Sequence, residues 1–420
     1  MVKRIAAIIF IFICATLAWL VLGGTILHRT YSADEKLKDR VMSTWGAPHA
    51  QPPARASYTR VVRSQVEQVV DGRKILTTKE EQVVEPLPLT RSRVHVDLAV
   101  EHRQKGLLWY STYAVQFAGD YSFQNDSGAT QRVTFALPLP AQQATYDGMT
   151  FTLNGKTLEP QYSAPAAGDK SALATASVTA DVAAGESAAL QVSYRSRGLD
   201  RWQYNFGESV SGANDFELVT TTNFTDFDFP DNSLSPTEKQ ARDGGAQLTW
   251  RFTNLVSGVP IAIEMPQKLQ PGPLAGQISF FAPVSLFFFF FLMFIITTLR
   301  GIELHPMNYF FLAGAFFAFH LLLAYLVDHI SIHLAFAICS LVSVFLVVSY
   351  LRLVVGMRFA AVEAAISQFI YLVLFSYAFF FQGFTGLAVT IGAIITLFVV
   401  MQMTGRIRWE QHFAPKPARA

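Results

Sequence analysis

The sequence predicts an α+β membrane protein: six transmembrane helices, one N-terminal and five C-terminal, with a large antiparallel β-sandwich domain inserted after the first helix. Three observations lead there. Six apolar runs, Ile5–Leu27, Ile278–Leu299, Met307–Val327, Ile332–Tyr350, Ala360–Phe381 and Phe384–Thr404, are each long enough to cross a membrane. A helical crossing of a hydrocarbon core about 30 Å thick takes about 20 residues at 1.5 Å each. The block between the first two runs is mostly polar, and its apolar residues recur at every second position, the period of half-buried strands.

Cations set the orientation, because short loops rich in Lys and Arg stay on the cytoplasmic side. Lys3 and Arg4 precede the first run. Six crossings then bring Arg300, the connection with Arg352 and Arg358, and the tail with Arg406, Arg408, Lys416 and Arg419 to the same side, nine cations in all. The loops assigned to the opposite side, Asp328–Ser331 and Gln382–Gly383, have none. Both termini are therefore expected in the cytoplasm. The net charge of +2 hides this asymmetry: the membrane part sets nine cations against Glu303, Asp328, Glu363 and Glu410, giving +5, and His28–Ala275 sets 24 against 27 acids, giving −3. Neither part has the polybasic surface of a nucleic-acid binder.

The first run exceeds the roughly 7–15 apolar residues of a cleaved signal, continues into His28-Arg29-Thr30 and lacks a clear small-x-small site, so it is expected to remain as an anchor. Cys14 and Cys339 both fall in predicted spans, so the inserted block must fold without disulfides. The expected organisation is an anchor over 1–30, a linker over 31–55, a β-rich domain over 56–275, a five-helix bundle over 276–405 and a cytoplasmic tail over 406–420.

Tyr31–Arg40 is charged and helix-compatible and extends the anchor helix, which Gly46–Pro53 then breaks. Strand alternation follows at Val94, Val96, Leu98 and Val100, at Tyr113, Val115, Phe117, Tyr121 and Phe123, and at Leu190, Val192 and Tyr194. It returns at Trp202, Tyr204 and Phe206 and at Leu248, Trp250 and Phe252. Asn154-Gly155 predicts a two-residue type I′ hairpin that sets Phe151 opposite Leu158, and Asp71-Gly72 predicts another. Short strands with such turns, and no long helix among them, predict two packed sheets, in one domain or two. Val133, Phe135 and Leu137-Pro138-Leu139-Pro140 before the Asn-Gly turn resemble sandwich modules of the von Willebrand-associated inter-α-trypsin type. That resemblance implies a binding or structural module.

A second resemblance covers the whole architecture. Leu304-His305-Pro306-Met307 followed by Tyr309 resembles the start of the third span in the CreD family of bacterial inner-membrane proteins, and Asp328-His329 that span's acidic-His end. Ser340-Leu341 and Tyr350-Leu351 are similar to its next span, and Thr222-Asn223-Phe224, Phe229-Pro230 and Leu248-Thr249-Trp250 to its exported domain. Between Ser32 and Leu107 the sequence departs from the family pattern. The resemblance implies an inner-membrane protein with a periplasmic domain, tied to a two-component regulon, envelope integrity and altered tolerance to colicins and β-lactams. It implies no defined reaction.

Four residues are candidates for function: His305, His320, Asp328 and His329. His305 and Pro306 open the third span, where a first-turn proline forfeits no helical hydrogen bond and Glu303 suits the helix dipole. A start signal is the simpler explanation, and a proton-responsive contact the functional one. Asp328, His329 and His333 invite comparison with a metal site, but the break between two spans falls across them and a site needs three or four convergent ligands; interfacial caps fit better. His320 lies near mid-span, where polar groups are costly and take partners. Asp226, Asp228 and Asp231, interleaved with Phe227, Phe229 and Pro230, lack the glycine and terminal Glu of a calcium loop and fit a solvated turn. Gly207–Gly212 is not a nucleophile elbow, and no phosphate-binding loop occurs. Phe287–Phe291 go all round a helix, marking lipid and packing contact, and Pro283 is expected near the end of the same span.

The expected role is non-enzymatic and without cofactor. The sandwich would face the periplasm and bind a protein partner or cell-wall component, while the helices sit in the lipid bilayer; no nucleic acid is involved. A transporter or lipid-handling protein with the five-helix bundle as its path is the alternative. An enzyme acting on cell-wall intermediates ranks third, for want of paired acids or a nucleophile.

Overall fold

A computed structural model of the chain describes residues 2–70, 73–164, 173–206, 211–381 and 383–405. Two compact units emerge. One groups the first helix through Glu35 with residues from Leu269 onward, and the other holds most of the remainder.

Six helices are long and apolar enough to cross a membrane, as the runs predict: Val2–Trp45, Pro271–Leu299, Pro306–Leu326, Ile332–Val354, Phe359–Phe380 and Thr385–Thr404. The first is 44 residues long and ends at Trp45. Gly46 stops it with φ +102°, its N–H bonded to the Met42 carbonyl at 2.9 Å. A Cβ on Gly46 would lie 2.0 Å from the Arg197 carbonyl oxygen, so glycine is required twice over.

The β unit has three sheets. The largest runs in the order β14 (Glu238–Arg242), β15 (Gly245–Ser257), β13 (Ser211–Thr222), β4 (Leu89–Lys105), β5 (Leu108–Gln124), β11 (Ser187–Leu199), β7 (Asp147–Leu153) and β8 (Lys156–Leu158). The second is β3 (Arg73–Pro86), β2 (Arg55–Val70), β6 (Gln131–Pro138), β10 (Thr175–Val182) and β9 (Gln161–Ser163). The third joins β1 (His49–Gln51), β12 (Arg201–Tyr204) and β16 (Ile261–Glu264). The alternation predicted for β4, β5 and β11 is the observed burial: Val94, Val96, Tyr113, Phe117, Leu190 and Val192 all enter one core. Phe123 of the large sheet meets Phe135 of the second edge-on at 5.7 Å, and Trp202 of the third sheet enters the same core. Of the two arrangements left open, the single fold is observed.

Asn154 (φ 47°) and Gly155 (φ 80°) form the hairpin turn, with Phe151 opposite Leu158 as the Asn-Gly pair predicts. Asp71-Gly72 lies outside the described residues, as do Gln382, residues 207–210 of the Gly207–Gly212 segment and the tail cations; β2 and β3 pair up to Val70 and Arg73.

Three features differ from expectation. Two pairings are parallel, β13 with β4 and β1 with β12, because residues distant in sequence meet without a hairpin. The proline-rich stretch expected to be linker contains β1, whose His49 and Gln51 are buried because their polar atoms find partners inside. Pro283 is not near a helix end: the second helix begins at Pro271, so Pro283 lies in its interior and deprives the Ser279 carbonyl of a donor.

In the helical unit, Phe289 and Phe290 are buried while Phe287 and Phe291 face outward, as a run encircling the helix requires. The fifth helix is not uniformly α. It passes through two π-helical segments, Phe359–Ala364 and Phe369–Leu374, and a final 3₁₀ turn at Ala378–Phe380. Such wide turns leave main-chain carbonyls free for other donors.

Candidate functional site in the helical bundle

His305 caps the third helix: its ring Nδ1 accepts from the Met307 N–H at 3.2 Å, and Pro306 takes the first helical position. The histidine thereby satisfies one of the donors a helix start leaves open.

His320 is fully buried in the same helix. Its Nδ1 lies 2.9 Å from the Phe316 carbonyl, which can only accept, so Nδ1 carries the proton and Nε2 presents a lone pair. That Nε2 has no hydrogen-bond partner among the described residues. Trp19 of the first helix stands edge-on to the imidazole at 5.6 Å, its own Nε1–H buried and unpartnered, and Phe319 flanks the imidazole at 4.9 Å. The result is an aromatic box between the first and third helices with one bare acceptor and one bare donor.

Asp328 receives Arg29 of the first helix at 3.4 Å. The same guanidinium donates to the Ala324 carbonyl at 3.1 Å and lies over the Tyr325 ring at 5.8 Å. A cation at the last turn of the third helix answers the negative end of its dipole. His329 is exposed, while His333 packs against Phe380 at 5.2 Å. Asp328, His329 and His333 therefore do not converge. Among the described residues no three His, Cys, Asp or Glu side chains are placed to hold a metal ion.

Sequence reasoning passed over the polar links that cross the bundle. Gln368 of the fifth helix donates to Ser343 of the fourth at 2.8 Å, and Ser343 donates to the Ala315 carbonyl of the third at 2.8 Å. Ser285 of the second helix donates to the Tyr371 carbonyl, inside a π-helical segment. The Tyr371 hydroxyl donates to Thr396 of the sixth helix at 2.9 Å, and Thr396 to Gly392 at 2.7 Å. At one end Arg300 pairs with Glu363. Gln368 was the available signal, a lone amide within an apolar run, and buried polar groups in a membrane need such partners.

The β unit holds a second buried polar constellation. Ser196 Oγ is 3.2 Å from His49 Nε2, His49 Nδ1 is 3.1 Å from the Tyr113 hydroxyl, and Tyr113 donates to the Arg201 carbonyl at 2.7 Å. That donation makes Tyr113 the acceptor of the Nδ1 proton and Ser196 the donor to Nε2. Burial lowers the His49 pKa to about 4 and raises that of neighbouring Tyr146 to about 12. Gly198 leaves the room: a Cβ there would sit 2.4 Å from the Tyr113 ring and 2.8 Å from His49 Nδ1. Ser196 is itself buried on a strand, so the arrangement holds β1 into the fold. Asp226, Asp228 and Asp231 are exposed, and Asp228 accepts from the Phe229 N–H at 2.9 Å.

Similarity to solved structures is distant. A protein from Legionella pneumophila described as nutrient binding shares 10% identity at a TM-score of 0.32, over 49% of this chain and 74% of its own. An M1 zinc metallopeptidase from Deinococcus radiodurans shares 10% at 0.26, over 43% of this chain and 42% of its own. Scores this low carry no argument. No curated protein matches the chain. The six apolar helices and the inserted β unit are accompanied by a family match of much greater reach. The family model for the inner membrane protein CreD matches residues 1–410, and the chain belongs to that family of multi-pass inner-membrane proteins.

Proposed function

We propose that the protein supports envelope integrity or the envelope-stress response through its β unit, which faces the periplasm and binds a protein partner or cell-wall component without catalysing a reaction. The nine cations flanking the predicted cytoplasmic ends, against none in the opposite short loops, support that sidedness and cytoplasmic termini.

One observation carries the binding role. β2 pairs with β3 from Ser57 opposite Pro86 to Val70 opposite Arg73, yet meets β6 only over Arg55–Tyr58. From Thr59 onward the two strands pair only with each other. Arg60–Glu85 at 3.2 Å and Arg63–Glu80 at 2.8 Å brace this ribbon, while Val61 and Val84 are 51% and 66% exposed. A two-stranded ribbon is marginal alone and presents free strand edges, the usual means of adding a partner's strand. Cells lacking the protein should change in sensitivity to envelope stress. Replacing Thr59–Glu85 with a short turn should reproduce that change at unaltered protein level. Full complementation by the shortened protein would refute the assignment to the ribbon, and normal sensitivity of the deletion strain would refute the role.

A second role, moving a solute or lipid through the bundle, is favoured by the π-helical fifth helix and its buried Gln368. It predicts flux in reconstituted vesicles that His320→Ala or Gln368→Ala abolishes.

A further inference from the structure

β3 is the outermost strand of the five-stranded sheet, so one of its edges is open along the ribbon. The Leu87 N–H donates to the Ala56 carbonyl at 2.9 Å, one step beyond Ser57 opposite Pro86. Main-chain groups of an antiparallel strand turn alternately toward and away from a given neighbour. Glu85, Val83, Glu81 and Lys79 therefore turn theirs toward β2, while Val84, Gln82, Glu80 and Thr78 turn theirs outward. Pro86 also faces outward but has no N–H, and Leu87 is buried in the core, so the open edge ends there.

Thr78–Gln82 and Val84 are exposed, and among the described residues Lys79 is in no ion pair. An open edge takes any strand unless its side chains discriminate. The free part of β2 from Thr59 to Gln65 offers Arg60 and Arg63 with no acid, so it cannot form ion pairs with a second copy of itself. Thr78–Pro86 instead has Lys79 near one end and Glu85 near the other. Two copies of this segment related by a two-fold axis run antiparallel, and each residue then faces the one equally far beyond the axis. An axis at Lys79, Glu80 or Glu81 sets a charge opposite itself, and one at Val83 sets Glu81 opposite Glu85. An axis at Thr78 or Val84 leaves less overlap. With the axis at Gln82, Lys79 of each copy lies opposite Glu85 of the other and no like charges are directly opposed. Gln82 then bonds with Gln82 and Glu80 with Val84, for about six main-chain hydrogen bonds between outward-turned groups.

We propose that β3 pairs edge to edge with β3 of a second copy of this chain, centred on Gln82, which rests on the reading of the ribbon as the docking element and names its occupant. The two ribbons become one four-stranded sheet in the order β2, β3, β3, β2. Two Lys79–Glu85 pairs fix its register, and the two-fold axis closes the assembly at a dimer.

The test is disulfide formation in membranes holding the full-length protein, with Cys14 replaced by Ala and copper phenanthroline as oxidant. Gln82→Cys should give covalent dimers, because the two Cα atoms of such a central pair lie about 5.5 Å apart, within disulfide reach. Thr78→Cys on the same edge should not, since its two copies would lie about 27 Å apart at strand rise. In the Gln82→Cys chain, Lys79→Glu should slow dimer formation about tenfold by opposing like charges at both ends, and adding Glu85→Lys should restore it. No dimer from Gln82→Cys, equal dimer from Thr78→Cys, no effect of Lys79→Glu, no recovery with Glu85→Lys, or capture of a different protein at Gln82 would each overturn the proposal. The readout is separate from stress sensitivity: absent dimers with an altered stress response on ribbon removal would leave the ribbon's role standing, and dimers with an unaltered response would refute that role and keep the pairing.

Discussion

Each unit buries one histidine completely, and the two are treated in opposite ways. His49 in the β unit has both ring nitrogens in hydrogen bonds, to Tyr113 and Ser196, and the chain is held behind it by glycine at position 198. His320 in the bundle bonds only to its own helix through Nδ1, and its Nε2 faces aromatic rings. A buried polar atom left unpaired costs about 1–3 kcal/mol, so the first histidine is arranged for stability and the second is not. Stability alone does not explain a half-satisfied imidazole at mid-span.

The largest effect expected of this contrast is on His49. His49→Ala leaves the Ser196 hydroxyl without its imidazole partner, takes one donor from Tyr113 and opens a cavity, costing about 4 kcal/mol. Denaturant unfolding of the full-length protein in micelles, followed through the near-ultraviolet signal of the β unit, would measure it; a loss under about 1 kcal/mol would remove His49 as the anchor of β1. Acid should do nearly as much. Unfolded His49 titrates near 6.5 and folded His49 at about 4. The unfolded chain therefore takes up the proton first, and stability is full above pH 6.5 and falls as pH drops to 4. At about 1.4 kcal/mol per unit this amounts to about 3 kcal/mol. The fall should be absent in His49→Leu, and an unchanged pH dependence in that variant would assign the acid loss elsewhere.

Much of this was legible in the residues. Helix positions follow from run length, and β4, β5 and β11 from alternation, because a sheet with one face in the core writes that face at every second residue. His305 was legible as a start signal because capping is local. β1 was not, since three residues between prolines, two of them polar, carry no apolar period, and its partners Ser196 and Trp202 come from far along the chain. The links through Ser343 and Thr396 were hidden for another reason: Gln368 marks that its run has a polar partner, but an apolar run gives no sign of which neighbouring helix supplies it. In the second π-helical segment the Tyr371 carbonyl accepts from Ser285 of a different helix, a partner that leaves no local mark in the sequence. The ion pair of Asp328 was hidden too, because Arg29 meets it only in three dimensions.

The bundle half of the comparison predicts smaller effects. His320→Phe keeps the ring's shape and packing against Trp19 while removing the unpartnered Nε2, so stability should stay within about 1 kcal/mol of wild type or rise, although one local hydrogen bond is lost. A loss above about 3 kcal/mol would mean that Nε2 has a strong partner in the membrane, and the two histidines would then be alike.

The smallest effect belongs to Arg29 and Asp328. Their side chains are 41% and 31% exposed, so solvent and salt screen the attraction, and the pair should be worth less than about 1 kcal/mol. Arg29 also donates to the Ala324 carbonyl and covers Tyr325, whereas the Asp328 side chain has no such additional bond among the described residues. Arg29→Met should therefore cost more than Asp328→Asn, and a double-mutant cycle should leave a coupling of about 0.5 kcal/mol that shrinks with added salt. A coupling of several kcal/mol, insensitive to salt, would place the pair in a dry environment and make it a lock between the first and third helices; no coupling would leave the dipole and ring contacts as the whole role of Arg29.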